Sequence, residues 1–160
     1  MASNIATVGS VVIKILKLVI NLIILVLYRT GYSGYFLGVG GTWNLNEEKN
    51  PDVEIVASGV FVGYMIYTAV TIISFCFASA DHKYTFTDLL MNAVGVFMWT
   101  AVGATALHYW IGYQNEHRFI HVSSERQVGI ALGALCIISG AVYLLDTVLS
   151  GIHFVRNKLA

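Results

Sequence analysis

Three polar residues in the first apolar stretch are the best candidates for chemistry. Lys14, Lys17 and Asn21 fall at spacings of three, four and seven residues, which places them on one face of a helix. Asp146 carries the opposite charge in the last apolar stretch. An unpaired charge at the centre of a bilayer costs roughly 2.5–3.5 kcal/mol on insertion scales, so each of these groups needs a partner or access to water.

Three interpretations of these charges are open. The lysines extend along the helix to the membrane surface, or one of them pairs with Asp146 and locks the first helix to the fourth. An ion or proton path is the third interpretation, but one shallow cluster does not make a pathway. The pairing hypothesis assigns Lys14, Lys17 and Asp146 to an intramembrane ion pair.

Other patterns give little support for a metal or phosphate site. His117 and His121 are four residues apart, a spacing that could share a metal on a helix, but RFIHV alternates like a strand and no third ligand is evident. GVGGTW (Gly38–Trp43) is not followed by the Gly-Lys-Ser/Thr of a phosphate loop. We therefore expect no catalytic residues, no metal, no cofactor and no enzymatic activity.

The composition indicates an integral membrane protein whose outer surface contacts membrane lipid. Of the 160 residues, 57% are hydrophobic and 11% are charged, and the mean hydropathy is +0.72. Soluble domains carry about 25% charged residues. The formal net charge is zero, which argues against a nucleic-acid partner because binding phosphates requires a basic face.

Four apolar stretches organise the chain. Each is long enough to cross a hydrocarbon core of ~30 Å, which takes about 20 residues. We predict an all-α integral membrane protein in which a single domain forms a four-transmembrane-helix bundle. The predicted spans are about 8–28, 55–77, 89–111 and 128–150, and the predicted outer loops are 29–54 and 112–127.

Polar residues between the spans predict where helices begin and how they are oriented. Asn50-Pro51 is typical of a helix start, and the pairs Thr85/Asp88 and Ser124/Gln127 have the spacing of capping boxes. Four spans place both termini on one side of the membrane. Basic residues favour the cytoplasm, and they are slightly more numerous on the terminal side, so we expect both termini to be cytoplasmic.

Two pairs of glycines could bring helices close together. Gly59 and Gly63 are four residues apart in the second span, and Gly129 and Gly133 repeat this spacing at the start of the fourth. Small residues at this spacing permit close helix approach in lipid. The pairs serve either helix packing within the chain or lateral contacts between copies.

The first outer loop combines glycines with aromatic residues. Aromatic side chains bury much area at low entropic cost, so the loop is a candidate contact surface; the alternative is that its aromatics anchor it among lipid headgroups. FLGVGGTWNL and RFIHV could pair across the two outer loops as a small extracellular β-sheet. The predicted partner-contact residues are Tyr32, Tyr35, Phe36, Trp43 and Asn44.

Several segments resemble the Snakeskin family of insect four-span membrane proteins. They are LYRTGY (Leu27–Tyr32), GVGGTWNLNEE (Gly38–Glu48), EIVASGVFVGY (Glu54–Tyr64), ALHYW (Ala106–Trp110), SERQVG (Ser124–Gly129) and YLLD (Tyr143–Asp146). The resemblance implies a component of smooth septate junctions at the lateral plasma membrane, with a role in the epithelial barrier. It also implies assembly with the junction protein Mesh and with a tetraspanin.

Two other functions compete with a junctional role. One is a four-span vesicle-trafficking protein, for which the outer loops would matter less. The other is a channel or transporter subunit that uses Lys14, Lys17 and Asp146. Trp43 and the loop glycines favour a junctional role through extracellular-loop and intramembrane contacts over trafficking, because vesicle proteins need no such surface. The spans are nearly bare of polar residues at mid-depth, which argues against a channel. Copies of the chain are further candidate partners.

Overall fold

A computed structural model describes residues 2–30, 51–77, 85–116 and 123–159. This part of the chain is all-helical, as the sequence predicts. The helices are α1 (Ala2–Thr30), α2 (Pro51–Phe77), α3 (Phe86–Glu116) and α4 (Ser123–Leu159).

Each helix contains a stretch long and apolar enough to cross a membrane, which confirms the prediction of four spanning helices. These stretches are Thr7–Tyr28, Ile55–Phe77, Phe86–His108 and Gln127–Arg156. We call the end of the bundle that carries both termini the terminal side and the opposite end the loop side.

The helices begin where the sequence places polar signals. Pro51 is the first residue of α2, and α4 begins at Ser123, one residue before the predicted cap. Thr85 caps α3, because its hydroxyl oxygen accepts a hydrogen bond of 3.2 Å from the backbone N–H of Asp88. The Asp88 carboxylate, however, is used elsewhere and is described below.

Apart from Ile20, the buried positions among the described residues of α1 alternate between steps of four and three residues. This spacing keeps one stripe facing the partner helices in a left-handed bundle with shallow crossing angles. The buried stripe is Ser10, Lys14, Lys17, Asn21, Ile24 and Tyr28. Outward positions are large and apolar, for example Phe97 at 76% exposure and Ile66 at 60%, so the outer surface of the bundle suits lipid.

α3 and α4 form the most closely packed pair, and among the helix pairs that are in contact α2 and α3 touch least. Glycines explain the close approach. A Cβ on Gly103 would lie 2.9 Å from the backbone oxygen of Gly133, and a Cβ on Gly133 would lie 3.2 Å from the backbone oxygen of Gly103. Further along the same contact, a Cβ on Gly140 would lie 2.7 Å from Thr100 Oγ1. Only a glycine fits at such a crossing.

The predicted β-sheet has no support in the structure. The described ranges 2–30, 51–77, 85–116 and 123–159 contain no strand. The two segments that we expected to pair, residues 36–45 and 118–122, lie entirely outside the described residues. The described part of the chain is therefore a four-helix bundle, and it gives the predicted sheet no support.

Candidate functional site

Lys14 and Lys17 both face the interior of the bundle. They lie about one turn apart on the buried stripe of α1 and are 2% and 3% exposed. Lys14 Nζ lies 3.2 Å from Asp88 Oδ2 and 3.5 Å from Asp146 Oδ2. Lys17 Nζ contacts Asp146 Oδ2 and donates a hydrogen bond of 2.6 Å to Asn92 Oδ1. Both ammonium groups therefore end on carboxylates inside the bundle and not at the membrane surface.

These side chains form one group, which we call the charge cluster. Its two lysines and two aspartates carry opposite charges in equal number, so its formal charge is zero. An isolated buried charge costs several kcal/mol, whereas each charge here has at least one opposite charge and one further polar partner. The members of the charge cluster are Lys14, Lys17, Asp88, Asn92 and Asp146.

Neighbouring hydroxyl groups complete the hydrogen bonding of both carboxylates. Tyr67 of α2 donates a bond of 3.1 Å to Asp88 Oδ1, and Ser150 of α4 donates one of 3.4 Å to Asp146 Oδ1. Asn92 Nδ2 lies at 3.5 Å from Asp88 Oδ2, one helical turn away. All four helices thus contribute a side chain to the charge cluster or to its immediate partners.

Aromatic rings cover the lysines. Lys17 Nζ lies 4.1 Å from the centroid of the Tyr143 ring, and Lys14 Nζ lies 6.0 Å from that of Phe75. A cation over a ring face is attracted by the quadrupole of the ring. The Tyr143 hydroxyl in turn pairs with Thr68 Oγ1 at 3.2 Å, which fixes the ring between α2 and α4.

The charge cluster lies deep in the terminal-side half of the bundle. Lys17 is ten residues into the candidate span that begins at Thr7, which corresponds to about 15 Å at 1.5 Å per residue. Asp146 is likewise ten residues from Arg156, where the candidate span of α4 ends. At this depth an unpaired charge would be exposed to hydrocarbon, so mutual neutralisation is a requirement for stability.

A layer of aromatic rings separates the charge cluster from the loop side. Trp99 stacks on Phe61 with ring centroids 5.6 Å apart and on Tyr143 with centroids 6.1 Å apart. Tyr64 packs edge-on against Tyr143 at 5.2 Å. Beyond this layer, fully buried Ile24 and Leu132 continue the core. Among the described residues, the buried charges of the interior therefore lie on the terminal side of this layer.

Asn21 shares the stripe with the lysines but is not part of the charge cluster. It is fully buried, and neither atom of its amide has a hydrogen-bond partner among the described residues. The hydroxyl of Ser139, also fully buried, is in the same situation. The three-residue face predicted from the sequence thus divides into two paired lysines and an amide without a protein partner.

The two glycine pairs occupy different surroundings. A Cβ on Gly133 would lie 2.8 Å from Leu107 Cγ, and one on Gly129 would overlap the Trp110 ring, so this pair lies in the contact between α3 and α4. No atom lies within 4 Å of a Cβ built on Gly59 or Gly63. The pair in α2 therefore faces away from the other described helices and makes no such contact within the chain.

The remaining predicted site residues lie outside the described residues. Tyr32, Tyr35, Phe36, Trp43 and Asn44 fall in the segment 31–50, so the contact hypothesis for them stays a prediction. His117 and His121 also fall outside. Within the four described ranges, no group of three or more histidine, cysteine, aspartate or glutamate side chains could hold a metal ion.

Sequence reasoning missed Asp88 and Asn92. The spacing of Thr85 and Asp88 gave Asp88 a local explanation as a cap residue, and only its backbone N–H has that role. One signal was available. Asp88 and Asn92 are four residues apart, which aligns them on one helix face, and Lys14 and Lys17 present two positive charges at nearly the same spacing.

Comparisons with known proteins show the family. No family model matches the chain, and no solved structure matches it. Protein snakeskin of Bombyx mori is 64% identical over 154 residues, which cover 96% of this chain and 98% of that protein. Protein snakeskin of Drosophila melanogaster is 60% identical over 154 residues, which cover 96% and 95% respectively. The chain belongs to the Snakeskin family.

Proposed function

We propose that the chain is a structural component of smooth septate junctions, which supports their assembly and the paracellular barrier of epithelia. Membership of the Snakeskin family is the observation that carries this proposal. In this role the protein resides in the lateral plasma membrane with both termini in the cytoplasm. It binds other membrane proteins and performs no turnover.

The bundle supports this role by fixing the ends of both outer loops. The first loop leaves α1 at Thr30 and enters α2 at Pro51, and the second connects Glu116 of α3 to Ser123 of α4. The charge cluster joins α1 to α3 and α4. The helices that carry both outer loops are thereby joined to one another, which suits an adhesive or scaffolding protein.

The proposed partners contact the protein at two places. Junction proteins resembling Mesh and a tetraspanin bind the outer loops, through Tyr32, Tyr35, Phe36, Trp43 and Asn44. Within the membrane, the face of α2 that carries Gly59 and Gly63 is open to lipid or to another helix. Close approach at such glycines supports lateral contacts, with copies of the same chain among the candidates.

A channel or transporter subunit is the second candidate, because the charge cluster lies within the membrane. Two features weigh against conduction. The charges are paired with one another, and the aromatic layer of Trp99, Phe61 and Tyr143 closes the interior above them. A conducting path would need polar groups beyond that layer, where buried Ile24 and Leu132 lie.

Depletion in a polarised epithelium tests the junctional role. The protein is removed, and the leakage of an inert tracer between cells is measured while the location of the wild-type protein is imaged separately. We expect lateral junctional staining and increased leakage after depletion. Diffuse vesicular staining with an intact barrier would instead indicate the trafficking function.

Re-expression of single variants then tests the loop surface. Wild-type protein should restore the barrier, and Trp43→Ala should reach the membrane but restore it poorly if the loop binds a partner. Full localisation and sealing by Trp43→Ala would show that this tryptophan only anchors the loop in the headgroups.

A further inference from the structure

We propose that α3 and α4 together form a receptor for a primary ammonium group, and that Lys17 of α1 occupies it. The receptor consists of the Asp146 carboxylate, the Asn92 amide oxygen and the face of the Tyr143 ring. Its existence does not depend on the junctional role of the protein. The receptor would make the position of α1 in the bundle depend on the binding of the Lys17 ammonium group.

The three receptor groups surround the ammonium with complementary chemistry. Asp146 Oδ2 and Asn92 Oδ1, the latter at 2.6 Å from Nζ, accept two of the three N–H donors of an ammonium group. The Tyr143 ring, 4.1 Å from Nζ, presents its negative face to the charge. The Lys17 nitrogen thus contacts a carboxylate, an amide oxygen and a ring face, and Lys14 Nζ shares the carboxylate from 3.5 Å.

The receptor groups belong to helices that are held together independently of α1. Asn92 lies on α3, and Asp146 and Tyr143 lie on α4. These two helices pack most closely in the bundle, through Gly103 and Gly133. Ser150 bonds to the second oxygen of Asp146, and Thr68 of α2 holds the Tyr143 hydroxyl. Asn92 Nδ2 lies 3.5 Å from Asp88 Oδ2, so each receptor group has a contact that does not involve Lys17, which favours a preformed binding site.

The contacts select a compact cation that carries N–H donors. A quaternary ammonium ion has no N–H group, so it cannot satisfy the oxygens of Asp146 and Asn92. In the wild-type chain the ligand is covalently attached through α1, and a tethered ligand has a high effective concentration. Free amines should therefore have no effect on the intact protein, and the receptor becomes measurable when the tethered group is removed.

Chemical rescue of Lys17→Ala tests the proposal. This substitution removes the three carbons and the nitrogen of the lysine side chain beyond Cβ, and these atoms correspond to an n-propylammonium ion. The rest of the chain is unchanged. The purified variant is unfolded thermally in detergent with n-propylammonium chloride or tetramethylammonium chloride at equal ionic strength. We expect n-propylammonium to shift the unfolding midpoint of Lys17→Ala toward the wild-type value in a concentration-dependent manner, and tetramethylammonium to leave it unchanged.

Lys17→Met is the matched control, because its side chain refills the space without a charge. Its midpoint should respond equally to both salts. Equal responses of Lys17→Ala to the two salts would overturn the proposal. A larger response of Lys17→Met than of Lys17→Ala to n-propylammonium would do the same.

A second pair of variants applies if Lys17→Ala yields no folded protein with either salt. Lys17→Met leaves the charge cluster with one excess negative charge, which either Asp146→Asn or Asp88→Asn neutralises. Because Lys17 contacts Asp146 and not Asp88, Asp146→Asn should restore the yield of folded protein more than Asp88→Asn does. Equal restoration by both would contradict the assigned receptor.

Discussion

Asp88 connects three helices through its two carboxylate oxygens. Oδ2 lies 3.2 Å from Lys14 Nζ on α1, and Oδ1 accepts the hydroxyl of Tyr67 on α2. Its location near the start of α3 means that these bonds fix the terminal-side end of that helix. The charge cluster therefore depends on Asp88 as much as on Asp146, although only Asp146 lies deep in an apolar run.

The first prediction concerns the loss of one buried charge. Asp88→Asn leaves Lys14 with a single carboxylate at 3.5 Å, that of Asp146, and gives the charge cluster an excess positive charge. Removal of one partner from a buried ion pair typically costs about 3–5 kcal/mol, so we expect a destabilisation of this order. The measurement is the free energy of unfolding of the purified protein in detergent.

Two further variants show whether charge or hydrogen bonding is responsible. Lys14→Met combined with Asp88→Asn restores neutrality and should recover most of the lost free energy. Tyr67→Phe removes only the hydrogen bond to Asp88 and should cost about 1.5–3 kcal/mol, as for a bond to a charged group. A double variant that is less stable than both single variants would contradict the electroneutral charge cluster.

The lysines and Asp146 could be predicted from the sequence because a charge in an apolar stretch demands a partner. Asp88 and Asn92 could not be assigned in the same way. Lys14 and Asp88 are 74 residues apart, and no local pattern connects them. The capping-box spacing of Thr85 and Asp88 also explained the presence of Asp88 without a distant partner. Such partners become visible only when the arrangement of all four helices is known, because Lys14 and Lys17 reach Asp88 and Asn92 across the interior of the bundle.

At the level of helices, the contact between α3 and α4 is the most constrained part of the structure. The second prediction compares two glycines that each form the second member of a pair spaced four residues apart. Gly133→Ala places a Cβ 2.8 Å from Leu107 Cγ and 3.2 Å from the Gly103 oxygen. Overpacking of this kind typically costs about 1–3 kcal/mol, which unfolding in detergent would detect.

Gly63→Ala is the control for this prediction, because open space surrounds its Cβ. An alanine in a helix interior is favoured over glycine by up to about 1 kcal/mol, so we expect this variant to be as stable as wild type or slightly more stable. Impaired junctional localisation of a stable Gly63→Ala protein would identify the α2 face as a lateral contact. Equal destabilisation of both variants would disprove the assigned packing.

The existence of four helices follows from the sequence because each apolar stretch is long enough to span a bilayer. Their contacts do not. Gly59/Gly63 and Gly129/Gly133 have identical spacing, yet one pair faces outward and the other meets Trp110 and Leu107. The orientation of a helix about its axis depends on its neighbours, which spacing along one helix does not specify.

At the level of the whole molecule, the buried charges of the described residues lie in the terminal-side half of the bundle. The third prediction concerns its orientation in the membrane. An epitope tag placed after Ala160 should bind antibody only in permeabilised cells, because four spans place both termini together and basic residues favour the cytoplasmic side. Antibody binding to intact cells would show that the termini are extracellular and would contradict this prediction.

The charge cluster also bears on the proposed barrier role. Paired charges join α1 to α3 and α4 on the terminal side of the bundle. We infer that barrier function requires an electroneutral charge cluster more than it requires any single charge. A neutral replacement of a whole ion pair should therefore be tolerated, whereas replacement of one partner should not.

Tracer leakage across a depleted epithelium that re-expresses charge variants tests this account most directly. Asp146→Asn, which leaves the two lysines with one carboxylate, should fail to restore the barrier. Lys17→Met combined with Asp146→Asn retains the neutral Lys14–Asp88 pair and should reduce leakage toward the wild-type level. Full sealing by Asp146→Asn alone, or a double variant that leaks as much as Asp146→Asn, would contradict the account.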